Sequence, residues 1–129
     1  MLIAEVSEKF KLTPDTLRYY ERVGLIPPVN RNKSGIRDYT EDDCKWVEFI
    51  KCMRGSGLPV EALIEYVGLF QQGDETLESR KELLMEQRMQ LHTRFEDMKQ
   101  LLERLDDKIS RYEETILKKE QGLNRSGGI

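Results

Sequence analysis

The side chains with the clearest chemical potential lie near the start of the chain, in the stretch TPDTLRYYER (residues 13–22). This stretch holds two arginines, two tyrosines and two threonines, without a catalytic pair, a glycine-rich loop or a metal-ligand spacing. Arg18 and Arg22 stand four residues apart, so in a helix they share one face, where like charges repel each other mildly. An arriving anion would relieve that repulsion, whereas a charged face that contacts only solvent is the open alternative.

A second group of basic residues surrounds the turn signal NKSG within PPVNRNKSGIRDY (residues 27–39). The two prolines exclude a helix at its start, and the short flanking segments can pair as a β-hairpin. Arg31, Lys33 and Arg37 surround the tip, and Tyr39 follows them. Such a hairpin buries little by itself, so it either lies against a nucleic-acid backbone or is an ordinary solvated loop.

Charge is distributed unevenly along the chain. The formal net charge of the 129 residues is −3, yet residues 9–37 contain seven basic and two acidic side chains, a local balance of +5. A basic face on an acidic protein is the electrostatic footprint expected for phosphate binding. Charged residues make up 35% of the chain and hydrophobic residues 38%, which favours a small head and a long solvated helix over one large core.

Short helices are predicted to position the basic groups. Apolar residues at helical spacing predict a first helix over about residues 2–10. The second helix begins with Thr13 as its N-cap and Pro14 in its first position, and Gly24 ends it. The stretch TPDTLRYYER, with its two arginines, is therefore predicted to be one complete helix.

Two further helices complete a head over residues 1–74. Thr40 caps the third helix and places Asp42 and Asp43 in its first turn, where the helix dipole favours acids. The fourth runs over roughly residues 60–70, after the break GSGLP. The predicted fold class is mainly α, with a head of short helices, a small β-hairpin wing and a long helix that follows them in the chain.

The chain from residue 75 to 118 has the pattern of a coiled-coil dimerisation helix, followed by a flexible tail over residues 119–129. Apolar residues recur in an a/d heptad pattern, best formed in the second half of the helix. About forty residues form a rod of ~60 Å, too long to bury an apolar stripe on so small a head. A second copy of the chain is the simplest partner, and a helix that folds back on its own head is the alternative. The predicted seam consists of Leu84, Leu91, Phe95, Met98, Leu102, Leu105, Ile109, Tyr112 and Ile116.

The two cysteines, Cys44 and Cys52, stand eight residues apart, which matches neither a CxxC motif nor a disulfide framework and indicates a reducing compartment. The single histidine, His92, lies off the seam and is interpreted as solvated. No metal site and no cofactor are predicted. The sequence shows neither a signal peptide nor an apolar run long enough to span a membrane, so a cytoplasmic location without membrane contact is expected.

The motifs in this order resemble the MerR family of bacterial transcription regulators. The residues that carry the resemblance are TPDTLRYYERVGLIPP, GIRDY and the helical WVEFIKCMRGSGLPVEALIEY, and it covers roughly residues 2–117. The resemblance implies a winged helix-turn-helix head and a homodimer joined by an antiparallel coiled coil. It also implies that the dimer binds a pseudo-palindromic promoter in double-stranded DNA and distorts it, so that RNA polymerase can engage.

The resemblance assigns DNA contacts to the basic residues. The second helix would be the recognition helix in the major groove, with Arg18 on a base edge or a nearby phosphate. The hydroxyls of Thr13, Thr16, Tyr19 and Tyr20 would contact phosphate or sugar, and Tyr20 is also a candidate for the core. The phosphate clamp of the wing would consist of Arg37 and Tyr39, helped by Arg31 and Lys33.

The same resemblance bears on what is sensed. Metal-sensing members have cysteines around the dimerisation helix, and here QQGDETLES and LKKEQGLNRSGGI contain neither Cys nor His, which argues against a thiolate metal site. The chain also ends where multidrug-binding members continue into a ligand domain. The region around Cys52 resembles the aldehyde- and electrophile-stress subgroup, the NmlR and AdhR type. Two readings of Cys52 stay open, a sensor thiol and an inert packing residue, while Cys44 is a weaker candidate for the sensor.

Rival classes of function differ in what they require. A thiol enzyme would need a resolving cysteine or a partner histidine near Cys52, and the sequence offers neither. A coiled-coil adaptor that binds protein would not need the clustered basic residues. A regulator of the same fold that binds a small ligand reversibly, with Cys52 structural, is the strongest alternative to an electrophile sensor.

Overall fold

The structure, a computed structural model, describes residues 1–127, with side chains described as far as residue 122. Residues 1–88 form one compact unit, and the chain from Met89 onward forms a second. The fold is mainly α, as predicted. In chain order the elements are α1 (Ile3–Phe10), α2 (Pro14–Val23), α3 (Glu41–Gly55), α4 (Val60–Gln72), a 3-10 turn (Asp74–Thr76) and α5 (Leu77–Gly127). Within the described residues, no helix is both long and apolar enough to cross a membrane.

Local signals set the ends of α2 as predicted. The Thr13 side chain accepts a hydrogen bond from the Thr16 backbone N–H at 3.1 Å, and Pro14 occupies the first helical position. At the other end, Gly24 adopts a left-handed φ of 86°, a conformation that favours glycine, and its N–H bonds back to the last turn. The helix that carries Arg18 is therefore fixed at both termini.

The core of the first unit lies where α1, α2, α3 and α4 meet. Each large aliphatic side chain that is fully buried there stabilises the fold by about 1.5–3 kcal/mol. The core residues come from distant parts of the chain. The core therefore also fixes residues 25–29, which follow α2, against the helices. The buried cluster consists of Val6, Leu17, Tyr20, Leu25, Ile26, Val29, Tyr39, Cys44, Val47, Ile50, Leu58 and Leu63.

The wing, residues 27–39, is a tight turn held by one antiparallel bridge between Arg31 and Arg37. Asn32 organises its tip: the Asn32 N–H donates to the Ile36 carbonyl at 2.7 Å, and the Asn32 side chain accepts from the N–H groups of Ser34 and Ile36. The turn lies at the predicted NKSG signal. Its flanks make a single bridge in place of two regular strands, since this segment turns after only a few residues.

The first compact unit extends beyond the predicted boundary at residue 74 and includes the first turns of α5. Thr76 is buried, and its hydroxyl donates to the carbonyl of Leu69 at 2.6 Å and to that of Gly73 at 2.7 Å. Arg80 donates to the Thr76 hydroxyl at 3.1 Å and lies 5.4 Å from the Phe70 ring centre. These contacts join the end of α4 to the start of α5.

The second unit consists of the remainder of α5. The apolar seam residues from Leu91 to Ile116 are all exposed in the single chain, whereas Leu84, in the first unit, is half-buried. The helix continues to Gly127, through most of the segment predicted as a tail, and it includes Gly122 in its interior, where a glycine costs only about 1 kcal/mol. The end of the predicted tail, residues 128 and 129, lies outside the described residues.

Candidate nucleic-acid interface

The polar face of α2 carries Arg18 with a partner on the same helix. Arg18 Nη1 lies 2.8 Å from Asp15 Oδ1, with 47% of the arginine side chain and 93% of the aspartate side chain exposed. An ion pair this exposed adds little stability and exchanges readily for another anion. Arg18 is therefore accessible at the surface and available to a phosphate or a base edge.

Two threonines and one tyrosine of α2 lie at the surface around Arg18. The hydroxyls of Thr13 and Thr16 are 2.8 Å apart at the start of the helix, where unpaired backbone N–H groups favour an anion. The Tyr19 ring is exposed and lies 5.6 Å from the guanidinium carbon of Arg22. This stacking holds a second arginine on the same face of α2.

The other two tyrosines lie in the core, a position that the sequence left open for Tyr20 and did not predict for Tyr39. Tyr20 and Tyr39 belong to the buried core, with Tyr39 only 2% exposed. The Tyr39 hydroxyl has no hydrogen-bond partner among the described residues, and burial raises the pKa of Tyr39, with the charges of Glu21 and Asp43 adding to the rise and those of Arg37 and Arg18 opposing it. Burial also raises the pKa of Tyr20, partly opposed by the charge of Arg54. This placement argues against direct DNA contact by either side chain in this conformation, because both rings pack where helices and wing meet.

The wing has two exposed basic side chains and one that is anchored to α2. Arg31 and Lys33 are exposed, and Arg31 Nη1 donates to the Gly35 carbonyl at 2.9 Å across the turn. Arg37 is different, because its Nε lies 2.5 Å from Glu21 Oε1 and only 23% of its side chain is exposed. The three basic side chains of the wing thus lie around one turn, and that of Arg37 is paired with α2.

Sequence reasoning missed the role of Glu21. Its second carboxylate oxygen accepts the Val29 backbone N–H at 2.9 Å, so one carboxylate holds both ends of the wing. Burial opposes the charged form of Glu21, but hydrogen bonds from Arg37 and Val29 and the charges of Arg37 and Arg31 outweigh it and lower the pKa. The available signal was an acid placed in the middle of the basic segment.

The two cysteines of α3 differ in access. Cys44 is buried, and burial raises the pKa of its thiol, with the charges of Asp43 and Glu41 adding to the rise and those of Lys9 and the amino terminus opposing it. Cys52 is exposed, and its carbonyl accepts the backbone N–H and the hydroxyl of Ser56. The reading of Cys52 as a buried packing residue therefore does not hold for the single chain, since its side chain faces solvent.

A groove beside α3 and α4 is lined by a cluster of aromatic rings. The Trp46 ring centre lies 6.0 Å from that of Phe49, 6.0 Å from that of Tyr66 and 4.9 Å from that of Phe70. The cavity measures about 570 Å³, within the range of small-ligand pockets. Among the described residues, no group of three or more His, Cys, Asp or Glu side chains is arranged to hold a metal ion.

A capped helix with two exposed arginines beside an anchored basic wing, on a helical head that is followed in the chain by a long helix, defines a DNA-binding regulator of the winged helix-turn-helix class. The chain belongs to the MerR HTH family of regulatory proteins, whose family model matches residues 1–68. A second model, described as MerR DNA binding, matches residues 45–108. The chain is thus a MerR-family transcription regulator and not an enzyme.

Individual relatives narrow the resemblance. The chain is 64% identical over 91 residues to the HTH-type transcriptional regulator AdhR of Bacillus subtilis, a match that covers 70% of this chain and 65% of that protein. A MerR family transcriptional regulator from Listeria monocytogenes has a similar crystal structure, with a TM-score of 0.92, 45% identity, and coverage of 98% of this chain and 96% of that one. HiNmlR, a MerR family regulator lacking the sensor domain, was solved bound to promoter DNA and is 27% identical, with a TM-score of 0.77 over 88% of this chain and 90% of that one.

Proposed function

We propose that the chain acts as a homodimer that binds a pseudo-palindromic promoter and distorts it, so that RNA polymerase can engage. The exposed apolar seam of α5 supports dimerisation, because an apolar stripe of this length is stable in water only when another helix covers it. The antiparallel sense of the coiled coil rests on family resemblance. Two heads on one dimer would place two recognition helices on successive half-sites.

The proposed DNA contacts are made by the exposed groups of α2 and the wing. Arg18 would exchange Asp15 for a base edge or a phosphate, since charge-assisted pairing to a planar guanidinium suits both. The hydroxyls of Thr13, Thr16 and Tyr19 would add contacts to phosphate or sugar. In the wing, Arg31, Lys33 and Arg37 would bind phosphates.

The signal is proposed to be an electrophile, such as formaldehyde, methylglyoxal or a quinone, that reacts at Cys52. The observation that carries this proposal is the difference in access between the two thiols, because Cys52 is exposed and Cys44 is buried with a raised pKa. With an aldehyde, the Cys52 sulfur adds to the carbonyl carbon and the thiol proton passes to the carbonyl oxygen, which gives a hemithioacetal without a leaving group. The modified side chain would alter the contacts of α3 and, through the head, the distortion of the promoter.

The alternative is a regulator of the same kind that binds a small ligand reversibly. The aromatic groove beside α3 and α4 favours it, since four rings around an open cavity suit a planar apolar compound. In that case Cys52 has no role in the response.

Transcription in vitro tests the electrophile proposal. The template carries the region upstream of the gene that encodes the chain, and output is measured with and without formaldehyde for the wild type, Cys52→Ser and Cys44→Ser. We expect a response in the wild type and in Cys44→Ser that is lost in Cys52→Ser. An equal response in all three proteins would overturn the thiol sensor and favour the reversible ligand.

A further inference from the structure

One half-buried carboxylate joins the two parts of the head that are proposed to contact DNA. Glu21 projects from α2, only 15% of its side chain is exposed, and its two oxygens are occupied by different segments. Oε1 accepts from Arg37 Nε at 2.5 Å, and Oε2 accepts from the Val29 N–H at 2.9 Å. The carboxylate therefore grips the wing where the chain enters it and where the chain returns.

The Glu21–Arg37 pair is unlike the Arg18–Asp15 pair of α2. Arg18 and Asp15 are neighbours on one helix and are open to solvent, so their pair can break without moving the backbone. Glu21 and Arg37 are sixteen residues apart and shielded, and breaking their pair removes the contact between α2 and the returning side of the wing. Removing one partner of a shielded pair also leaves an uncompensated charge, which is strongly unfavourable.

We propose that Glu21 is a positioning residue for DNA recognition, which fixes the wing against the recognition helix and thereby favours specific over non-specific binding. The inference rests on the proposed function, in that α2 and the wing must contact DNA together. A wing in a fixed position can contact the phosphate backbone only in duplexes whose backbone lies at one distance from the groove that α2 enters.

The same carboxylate has an opposite effect on non-specific binding. Its negative charge offsets that of Arg37 on a surface that would face phosphates, so Glu21 lowers the purely electrostatic attraction to any duplex. Neutralising Glu21 should therefore loosen specific recognition and strengthen non-specific binding at once. A residue that only stabilises the fold would not move these two affinities in opposite directions.

The test uses the full chain and two duplexes. One duplex carries the upstream region of the gene that encodes the chain, and the other is a shuffled sequence of the same length and composition. Affinity is measured over a series of KCl concentrations for the wild type, Glu21→Gln, Glu21→Ala, Arg37→Gln and Arg18→Ala. Glu65→Gln, the same chemical change at an exposed position of α4, is the matched control.

For Glu21→Gln we expect the ratio of promoter to shuffled affinity to fall about tenfold, the factor associated with one charge-assisted hydrogen bond. The salt dependence on the shuffled duplex should steepen by up to about one unit, because Arg37 gains a free charge. Glu21→Ala should lower the ratio at least as far, and Glu65→Gln should leave it unchanged. Glutamine is nearly isosteric with glutamate and still accepts a hydrogen bond, so this variant gives a result even if Glu21→Ala unfolds.

The outcomes separate the inference from the proposed function. If Arg37→Gln weakens binding while both Glu21 variants keep the wild-type ratio and salt slope, the positioning role is overturned and the wing contact stands. If Arg37→Gln and Arg18→Ala both bind the promoter duplex as the wild type does, the proposed contacts fail and the inference fails with them. A proportional loss on both duplexes with an unchanged salt slope would mark Glu21 as merely structural.

Discussion

The two compact units of this chain treat their apolar side chains in opposite ways. In the unit of residues 1–88, Leu17, Ile50 and Leu63 are at most 1% exposed, covered by other helices of the same chain. In the unit that starts at Met89, Phe95 and Leu102 remain 60% and 61% exposed. The first unit thus buries a core within one chain, whereas the apolar seam of the second unit is exposed in the single chain. If the chain acts as the proposed dimer, the first unit folds without a partner and promoter binding depends on protein concentration.

The largest expected effect comes from charges placed in the seam. Leu102→Asp combined with Ile109→Asp should produce monomers, because two carboxylates cannot be buried against a partner helix without a counter-charge. Loss of the second head should weaken promoter binding by roughly 10²-fold or more, as expected when a bivalent contact becomes monovalent. Sedimentation gives the mass, and titration with a labelled promoter duplex gives the affinity.

A matched double variant distinguishes loss of the dimer contact from loss of stability in the helix. Gln100→Asp combined with Ser110→Asp introduces the same charges on the outer face of α5, where both residues are exposed. This protein should remain dimeric and bind the promoter normally. If both double variants became monomeric, the loss would reflect a weakened helix, and the assignment of the seam would be wrong.

An effect of comparable size, on stability instead of binding, is expected from the core of the head. Leu17→Ala removes a side chain with no exposed surface at the centre of α2, so we expect a loss of about 2–5 kcal/mol of unfolding free energy. Ile36→Ala removes an aliphatic side chain that is half exposed on the wing, and its effect should be within about 0.5 kcal/mol. Urea denaturation of both variants at one protein concentration measures the difference. Similar losses for the two would contradict the contrast between buried and exposed apolar residues.

The parts of the fold that sequence predicts well depend on local signals. The N-caps Thr13 and Thr40, the left-handed Gly24 and the heptad repeat of α5 each involve residues within one or two turns of one another. Local hydrogen bonds and side-chain spacing determine these features, so they can be predicted from the sequence without a tertiary structure. The exposed position of Arg18 on α2 follows from the same helical periodicity.

The parts that sequence did not predict depend on contacts between distant residues. The pairing of Arg37 with Glu21 spans sixteen residues, and burial of Tyr39 requires the wing to fold back onto the helices. Sequence alone marks Tyr39 as a polar aromatic near basic residues, which fits a surface contact as well as a core position.

The smallest expected effect is a change of stability with pH, which depends on the charge of Glu21 at the junction of α2 and the wing. Because the folded-state pKa of Glu21 is lowered, its contribution to stability is full above the unfolded value of about 4.3 and is lost as pH falls through the folded value. The stability difference between the wild type and Glu21→Gln should thus be constant near pH 7 and shrink below about pH 4.3. Thermal unfolding of both proteins between pH 7 and pH 3 measures this difference, and the subtraction removes the titration of carboxylates common to both. A difference that stays constant down to pH 3 would mean that the charge of Glu21 does not stabilise the junction of α2 and the wing, and its role there would reduce to hydrogen bonds that glutamine also makes.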